Sequence, residues 1–291
     1  MMKGVILAGG LGTRLHPSTI SVSKQLLPIY DKPLIFFPLS TLMSAGIRDI
    51  LIISTDECIP LYQKLFSDGQ KFGINIAYAT QNEPKGIAEA FIIGKKFIGN
   101  SCSTLILGDN IFHGTDLKKQ LAKIVKSKFT GAKVFAYKVS DPERYGVVEF
   151  SKDFKVLSIE EKPEIPKSKF ALTGLYSYDS QVSELASSLK PSARGELEIT
   201  DLNNLYFMNG SLEAKVMGSG DAWLDAGTPD SLLEAAHFVQ TIQHSQSIQI
   251  GCPEAIALEQ NFITKEKFER IVLTAPKNKY GDYLRSMLAE L

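Results

Sequence analysis

Short apolar runs rich in β-branched residues recur through the first half of the chain, at 5–7, 50–54, 74–78, 104–107 and 134–139. The first four are nearly continuous in hydrophobicity, as strands covered on both faces must be. Amphipathic stretches lie between them, at 38–45 stopping at Gly46, 59–66 stopping before Gly69, 87–97 stopping at Gly99, and 116–128. These spacings predict helices closed by glycine or polar residues. Strand and helix in alternation predict an α/β protein with a mainly parallel sheet covered by helices.

The rhythm changes near residue 145. Residues 146–150 and 156–159, separated by Ser-Lys-Asp-Phe-Lys, predict a β-hairpin, and 171–178 and 212–217 predict further strands of alternating character. This region, about 141–217, reads as an insert that extends the sheet. Residues 231–244 and 262–291 read as helical with mixed charge, and no Pro/Gly/Ser linker or internal repeat marks an independent second domain. The expected organisation is a core over 1–230 carrying the β insert, with a helical C-terminal appendage over 231–291 in the same compact domain.

The balance of 32 basic against 32 acidic residues removes any global field for nucleic acid or an anionic membrane, so phosphate binding has to be local. Cys58, Cys102 and Cys252 are far apart and form no CxxC pair, which fits reduced thiols rather than a disulfide framework or a zinc site. No segment approaches the roughly 18 apolar residues of a membrane span, and the apolar start is too short for a signal peptide. A cytoplasmic protein is expected.

The first predicted strand ends in Gly9-Gly10-Leu11-Gly12-Thr13-Arg14. Glycines here let backbone N–H groups approach a polyphosphate, and Arg14 adds a permanent forked charge. On the glycines alone a tight strand-to-helix turn is an equal reading; Arg14 favours phosphate. No Gly-Lys-Ser/Thr follows, so this is not a Walker loop, and Leu15 occupies the third glycine position of the dinucleotide fingerprint, which argues against an NAD-dependent oxidoreductase. Lys24 and Gln25 follow in Ser-Lys-Gln-Leu-Leu-Pro; lysine suits a phosphate and glutamine a base edge, although a lysine standing alone is more often solvent-facing. Asp109 ends the apolar run at 104–108, where ligands bind in open α/β sheets, or it caps a turn. Asp225 follows a glycine-rich stretch, where a structural hydrogen bond near Gly227 is the alternative. Glu161-Lys162-Pro163 reads as two side chains turned into a cleft at a strand end, or as a surface ion pair. Thr200-Asp201 reads as a helix N-cap.

Taken together, LAGGLGTRLHP (7–17), SKQLLP (23–28), LGDN (107–110), DPERYGVVEF (141–150), EEKP (160–163), RGELEITD (194–201) and WLDAGT (223–228) resemble bacterial glucose-1-phosphate thymidylyltransferases of the sugar nucleotidyltransferase family. Each string is weak alone, but seven in the family's order are specific, and they span essentially the whole chain. The resemblance implies a Rossmann-like three-layer nucleotidyltransferase fold with a mixed, mainly parallel central sheet. It implies transfer of a thymidylyl group from dTTP to glucose 1-phosphate, giving dTDP-glucose and pyrophosphate. Arg14, Lys24, Lys162, Asp109 and Asp225 then take catalytic roles, with Asp109 and Asp225 holding Mg²⁺. Leu7, Gly9, Gly10, Gly12, Thr13, Arg14, Gln25, Gln81, Pro84, Gly86 and Asp109 line the nucleotide, and Tyr145, Gly146, Glu161, Lys162, Leu172 and Trp223 line the sugar phosphate. A homotetramer and the first step of a dTDP-L-rhamnose-type pathway feeding cell-surface polysaccharide are also implied.

Two rival functions share these residues: uridylyl transfer from UTP, and a catalytically silent regulatory homologue, against which the full set of Arg14, Lys24, Asp109, Lys162 and Asp225 argues. The chain departs from the family pattern in three places. Lys118-Lys119 stands where a His-Glu pair is common, Glu259 where an arginine is, and Lys85 where aspartate is frequent beside the thymine loop. The first two bear on the family's second, feedback-inhibitory nucleotide site near the subunit interface, where reversed charge implies altered affinity.

Overall fold

The computed structural model describes residues 2–10 and 12–291; Met1, and Leu11 in the glycine-rich loop, lie outside the described residues. After β1 (Lys3–Leu7) a small hairpin of β2 (Pro28–Ile29) and β3 (Lys32–Pro33) leads into α1 (Phe36–Ser44). The alternating half continues through β4 (Asp49–Ser54), α2 (Ile59–Phe66), β5 (Asn75–Thr80), α3 (Glu89–Ile93), α4 (Lys95–Ile98) and β6 (Ser103–Leu107). Next come β7 (Asn110–His113), α5 (Thr115–Lys126), β8 (Ala132–Lys138), β9 (Gly146–Phe150), β10 (Val156–Glu161), β11 (Phe170–Tyr178), α6 (Val182–Ser188) and α7 (Ile199–Met208). The chain closes with β12 (Leu212–Val216), β13 (Ala222–Asp225), α8 (Pro229–Gln246), α9 (Pro253–Glu259), α10 (Lys265–Leu273) and α11 (Lys279–Ala289).

Strands β6, β1, β4 and β5 lie side by side and parallel, and β11 joins this unit antiparallel to β6. The hairpin of β9 and β10 extends the sheet beyond β11, while β8 pairs with β11 and carries β12 parallel on its far side. Because side chains alternate across a strand, Ile6, Ile52, Ile106 and Leu175 enter one core with α1, α5 and the C-terminal helices. Val5, Leu51, Leu105 and Tyr176 enter the other, with α3, α6 and α7. Burial on both faces explains the continuous apolar centres of β1, β4 and β6, whose polar residues stand at their ends. Phe268, Val272 and Leu284 from the last two helices share the first core with Ile6 and Leu39.

Four expectations are corrected. The stretch read as one helix over 87–97 is two, α3 and α4, meeting at Gly94, a residue that weakens helix interiors by about 1 kcal/mol. Helix α1 starts two residues earlier than read, because Pro38 at its third position lacks only an N–H that would be unpaired there anyway. The region read as an insert that extends the sheet does so through β9 and β10 on one side and β12 on the other, but it also supplies β11, a strand inside the sheet. Helix α7 begins at Ile199 with Glu198 before it and no side-chain cap, so Thr200 is a first-turn residue whose hydroxyl is committed elsewhere.

Candidate active site

The carboxyl ends of β1, β4, β5 and β6 form one edge of the parallel unit, where open α/β sheets bind ligands. Gly9 follows β1, Gln81 follows β5, and Asp109 lies just beyond β6. The loop after β1 turns at Gly12, in the left-handed region, into a single helical turn, Thr13–Leu15, leaving Gly10, Thr13 and Arg14 exposed. A second turn, Lys24–Leu26, buries Lys24 and Gln25. Lys24 is 8% exposed, so it is no solvent-facing lysine; its ammonium pairs with the Asp109 carboxylate.

Asp225 reaches Asp109 through a long-range strand pairing. Strands β7 and β13 form a two-stranded antiparallel sheet in which Asp225 faces Asn110, and the Ala226 N–H donates to the Asp109 carbonyl at 3.1 Å. The two carboxylates therefore share one wall. Their charges separate them. Burial would raise Asp109, but the Lys24 charge and hydrogen bond, with the Asn110 amide, bring it below the usual carboxylate range. Asp225 is pushed up to about 6, first by burial and then by the charge of Asp109, against the pull of Lys24, Arg14 and Arg144. Two crowded carboxylates of which one resists ionisation suit a hard divalent cation that retains waters and phosphate oxygens, so this donor set fits Mg²⁺. Gly227 completes the wall: a Cβ there would come 2.8 Å from Arg14 Nη2 and 3.2 Å from both Asp225 oxygens.

Asn110, 2% exposed, ties this wall to a second group of side chains. Its Nδ2 donates to Asp109 at 3.0 Å, while its Oδ1 accepts from the Gly174 N–H at 3.1 Å and from Trp223 Nε1 at 2.6 Å. Trp223 packs edge-on against Tyr145, centroids 5.1 Å apart. Opposite, Gly146 of β9 pairs with Glu161 at the end of β10. Glu161 accepts from the Thr200 hydroxyl at 2.5 Å and from Arg194 Nη2 at 3.3 Å. Leu172 lies beneath, 3.8 Å from where a Cβ of Gly146 would be. Lys162 sits at φ 43°, a left-handed conformation that is costly for a side-chain-bearing residue and swings it out of the strand direction. Its ammonium is exposed and 3.8 Å from Glu161.

A family model described as nucleotidyl transferase matches residues 3–242. The chain belongs to the nucleotidyl transferase family. It is 55% identical over 287 residues to the glucose-1-phosphate thymidylyltransferase of Neisseria meningitidis, covering 99% of both chains. A Bacillus anthracis protein solved with sucrose under the same enzyme name superposes at TM-score 0.76 with 43% identity, over 82% of this chain and 95% of that one. A UDP-glucose pyrophosphorylase solved with UDP-glucose superposes at TM-score 0.71 with 25% identity, over 83% of this chain and 99% of that one.

In this nucleotidyl transferase Arg14, Lys24, Asp109 and Asp225 gather on one wall, whereas Lys162 shares its ion pair with Glu161 and has no hydrogen bond or ion pair with the Lys24–Asp109 pair among the described residues. Leu7 ends β1 and accepts from the Gly108 N–H at 2.8 Å. Gln81 reaches the Gly86 carbonyl at 3.4 Å, and Pro84 is exposed in the loop between them. That loop is stitched to the RGELEITD segment: Leu197 N donates to Lys85 O at 2.7 Å and Ala88 N to Leu197 O at 3.2 Å. At Gly86, φ 104°, a Cβ would lie 2.3 Å from Leu197 O, so any side chain there forces the two segments apart. Sequence reading missed Asn110, Thr200 and Arg194. Arg194 and Glu198 carry a visible i,i+4 signal, but nothing in the sequence says that Thr200 turns toward Glu161. A separate cavity of about 480 Å³ is lined by residues of α1, α5 and α9 and by residues 246–251. Lys118 and Glu259 face each other there at 3.7 Å.

Proposed function

We propose that this protein joins dTTP to α-D-glucose 1-phosphate, forming dTDP-glucose and pyrophosphate. The reading is supported by near-full-length relatives bearing that enzyme name. The observation that carries it is the wall of Arg14, Lys24, Asp109 and Asp225 at the carboxyl ends of parallel strands.

The sugar phosphate arrives ionised, so one of its oxygens attacks the α-phosphorus directly while the bond to the β-phosphate breaks in line, and no general base is needed. Catalysis then rests on positioning and charge neutralisation. Arg14 and the loop amides hold the triphosphate and take up the charge of the departing pyrophosphate. Asp109 and Asp225 would hold Mg²⁺, which supplies neutralisation of the α-phosphate oxygens when bound. Lys24 brings a cation to the same wall, and Lys162 brings one to the phosphate of the acceptor, offsetting repulsion between the two anions. Glu161, held by Thr200 and Arg194, accepts from a sugar hydroxyl; Tyr145, Gly146, Leu172 and Trp223 enclose the ring. Gln25 and Gln81, with Pro84 and Gly86, read the base. Uridylyl transfer is the second reading, favoured by the likeness to a UDP-glucose pyrophosphorylase.

The same reading extends to a homotetramer, to a cytoplasmic location, to the dTDP-L-rhamnose pathway, and to weak feedback at the cavity bearing Lys118 and Glu259. No described helix is long and apolar enough to cross a membrane. A pyrophosphate-release assay over dTTP, UTP, CTP and ATP with glucose 1-phosphate tests the reaction. Preference for dTTP supports it, and absence of release with every thymidine or uridine nucleotide overturns it. Light scattering tests the tetramer, and inhibition by dTDP-rhamnose as strong as that by active-site ligands would overturn the weak-feedback reading.

A further inference from the structure

We propose that Glu89 and Ser23 are positioning residues that fix the donor and acceptor polarity of the two base-reading glutamines, so that the site accepts thymine or uracil and rejects cytosine. The proposal rests on the placement of Gln25 and Gln81 at the base given above and adds what orients them. A glutamine amide turned end for end exchanges a donor for an acceptor with almost no change of shape. A buried reading amide therefore discriminates only if something holds its direction.

At Gln81, 5% exposed, both amide protons are taken. Nε2 donates to Glu89 Oε2 at 2.7 Å and, at the long end of the range, to the Gly86 carbonyl at 3.4 Å. The Glu89 oxygen and the Gly86 carbonyl both accept here, so the reversed amide would set its oxygen against two acceptors. Oε1 is left as the presented group, lying against Gly9, where a Cβ would come within 2.8 Å. Glu89 opens α3, fixed to the sheet through buried Ala90 and Phe91, so its carboxylate is held from behind.

At Gln25, 3% exposed, the polarity is opposite. The Ser23 hydroxyl donates to Gln25 Oε1 at 2.5 Å, and having spent its proton it accepts from the Tyr62 hydroxyl at 2.8 Å. Tyr62 is fully buried in the core beneath. Oε1 is thus satisfied from the protein side, and Nε2, which has no acceptor among the described residues, is the donor offered to a ligand. The pair presents one acceptor, Gln81 Oε1, and one donor, Gln25 Nε2. Thymine and uracil offer N3–H between two carbonyl oxygens, which matches. Cytosine offers a bare N3 and an amine at position 4, so lone pair would meet lone pair at Gln81.

The test compares kcat/KM for dTTP, dUTP and dCTP with glucose 1-phosphate and Mg²⁺ in the full-length wild type, Glu89→Ala and Ser23→Ala, each checked for folding by circular dichroism and melting. The wild type is expected to favour dTTP and dUTP over dCTP by about 10²-fold or more. With an amide free to turn, the dTTP-to-dCTP ratio is expected to fall about tenfold or more in either variant, chiefly through KM. If Glu89→Ala does not fold, Ser23→Ala carries the same expectation alone. A folded variant that loses activity on both nucleotides alike, its ratio within about twofold of wild type, overturns the proposal and leaves the reaction standing. A wild type that uses neither dTTP nor dUTP overturns both.

Discussion

Replacing Asp225 by asparagine should make the metal-free protein more stable while stopping turnover. In an unfolded chain an aspartate titrates at about 3.9, whereas Asp225 in the folded protein titrates at about 6, raised by burial and by Asp109. The folded state holds this proton more tightly than the unfolded one. Stability is therefore unpenalised below about pH 4, falls as pH rises between about 4 and 6, and stays reduced above that. The penalty at pH 7.5 is about 3 kcal/mol at most, at 1.36 kcal/mol for each tenfold change in proton affinity. Asp225→Asn keeps the shape of the neutral acid and removes the penalty, worth roughly 5–10 °C in melting temperature for a chain of this size. Calorimetric melting in EDTA at pH 7.5 and at pH 4 reads this directly, with the gain expected at the first pH and absent at the second. Added Mg²⁺ and dTTP should raise the melting temperature of the wild type and not of the variant. A variant that melts at or below wild type at pH 7.5, or gains equally at pH 4, refutes the picture of two carboxylates in mutual repulsion.

Arg14 is exposed, so Arg14→Ala should leave the melt nearly unchanged while pyrophosphate release falls by about 10²–10³-fold; normal release from the folded variant contradicts its role. Thr200→Val deletes one of the two donors to Glu161 and leaves Arg194, and steady-state kinetics should show KM for glucose 1-phosphate rising about tenfold with that for dTTP unchanged. Gly86→Ala forces a Cβ toward Leu197 O at a left-handed position; it should cost about 1–2 kcal/mol in the melt and raise KM for dTTP rather than for the sugar phosphate.

How legible these features were in the sequence depended on how local they were. Strands β1, β4 and β6 announced themselves because both faces of their centres are buried and the runs 5–7, 50–53 and 105–107 are unbroken in apolar residues, and β9 and β10 because they pair across a short turn. Strands β7 and β13 gave no such signal. Each has four residues, and they pair across more than a hundred positions, yet they alone bring Asp225 to Asp109. The wall was thus readable as a set of residue types and unreadable as a geometry. Lys24 looked like a surface lysine because its partner, Asp109, lies eighty-five residues away. Thr200 misled for a related reason: threonine before an amphipathic run is a common cap, and only the fold shows its hydroxyl turned to Glu161.

Nucleotidyl transfer at the wall of Arg14, Lys24, Asp109 and Asp225 can be followed directly. Phosphorus NMR of the purified protein with dTTP, glucose 1-phosphate and Mg²⁺ follows the reactants and both products in one tube. Equal growth of dTDP-glucose and pyrophosphate signals is expected, halted by EDTA and absent in Asp225→Asn. Hydrolysis of dTTP without dTDP-glucose, or product formation unaffected by Asp225→Asn, would contradict transfer at this wall.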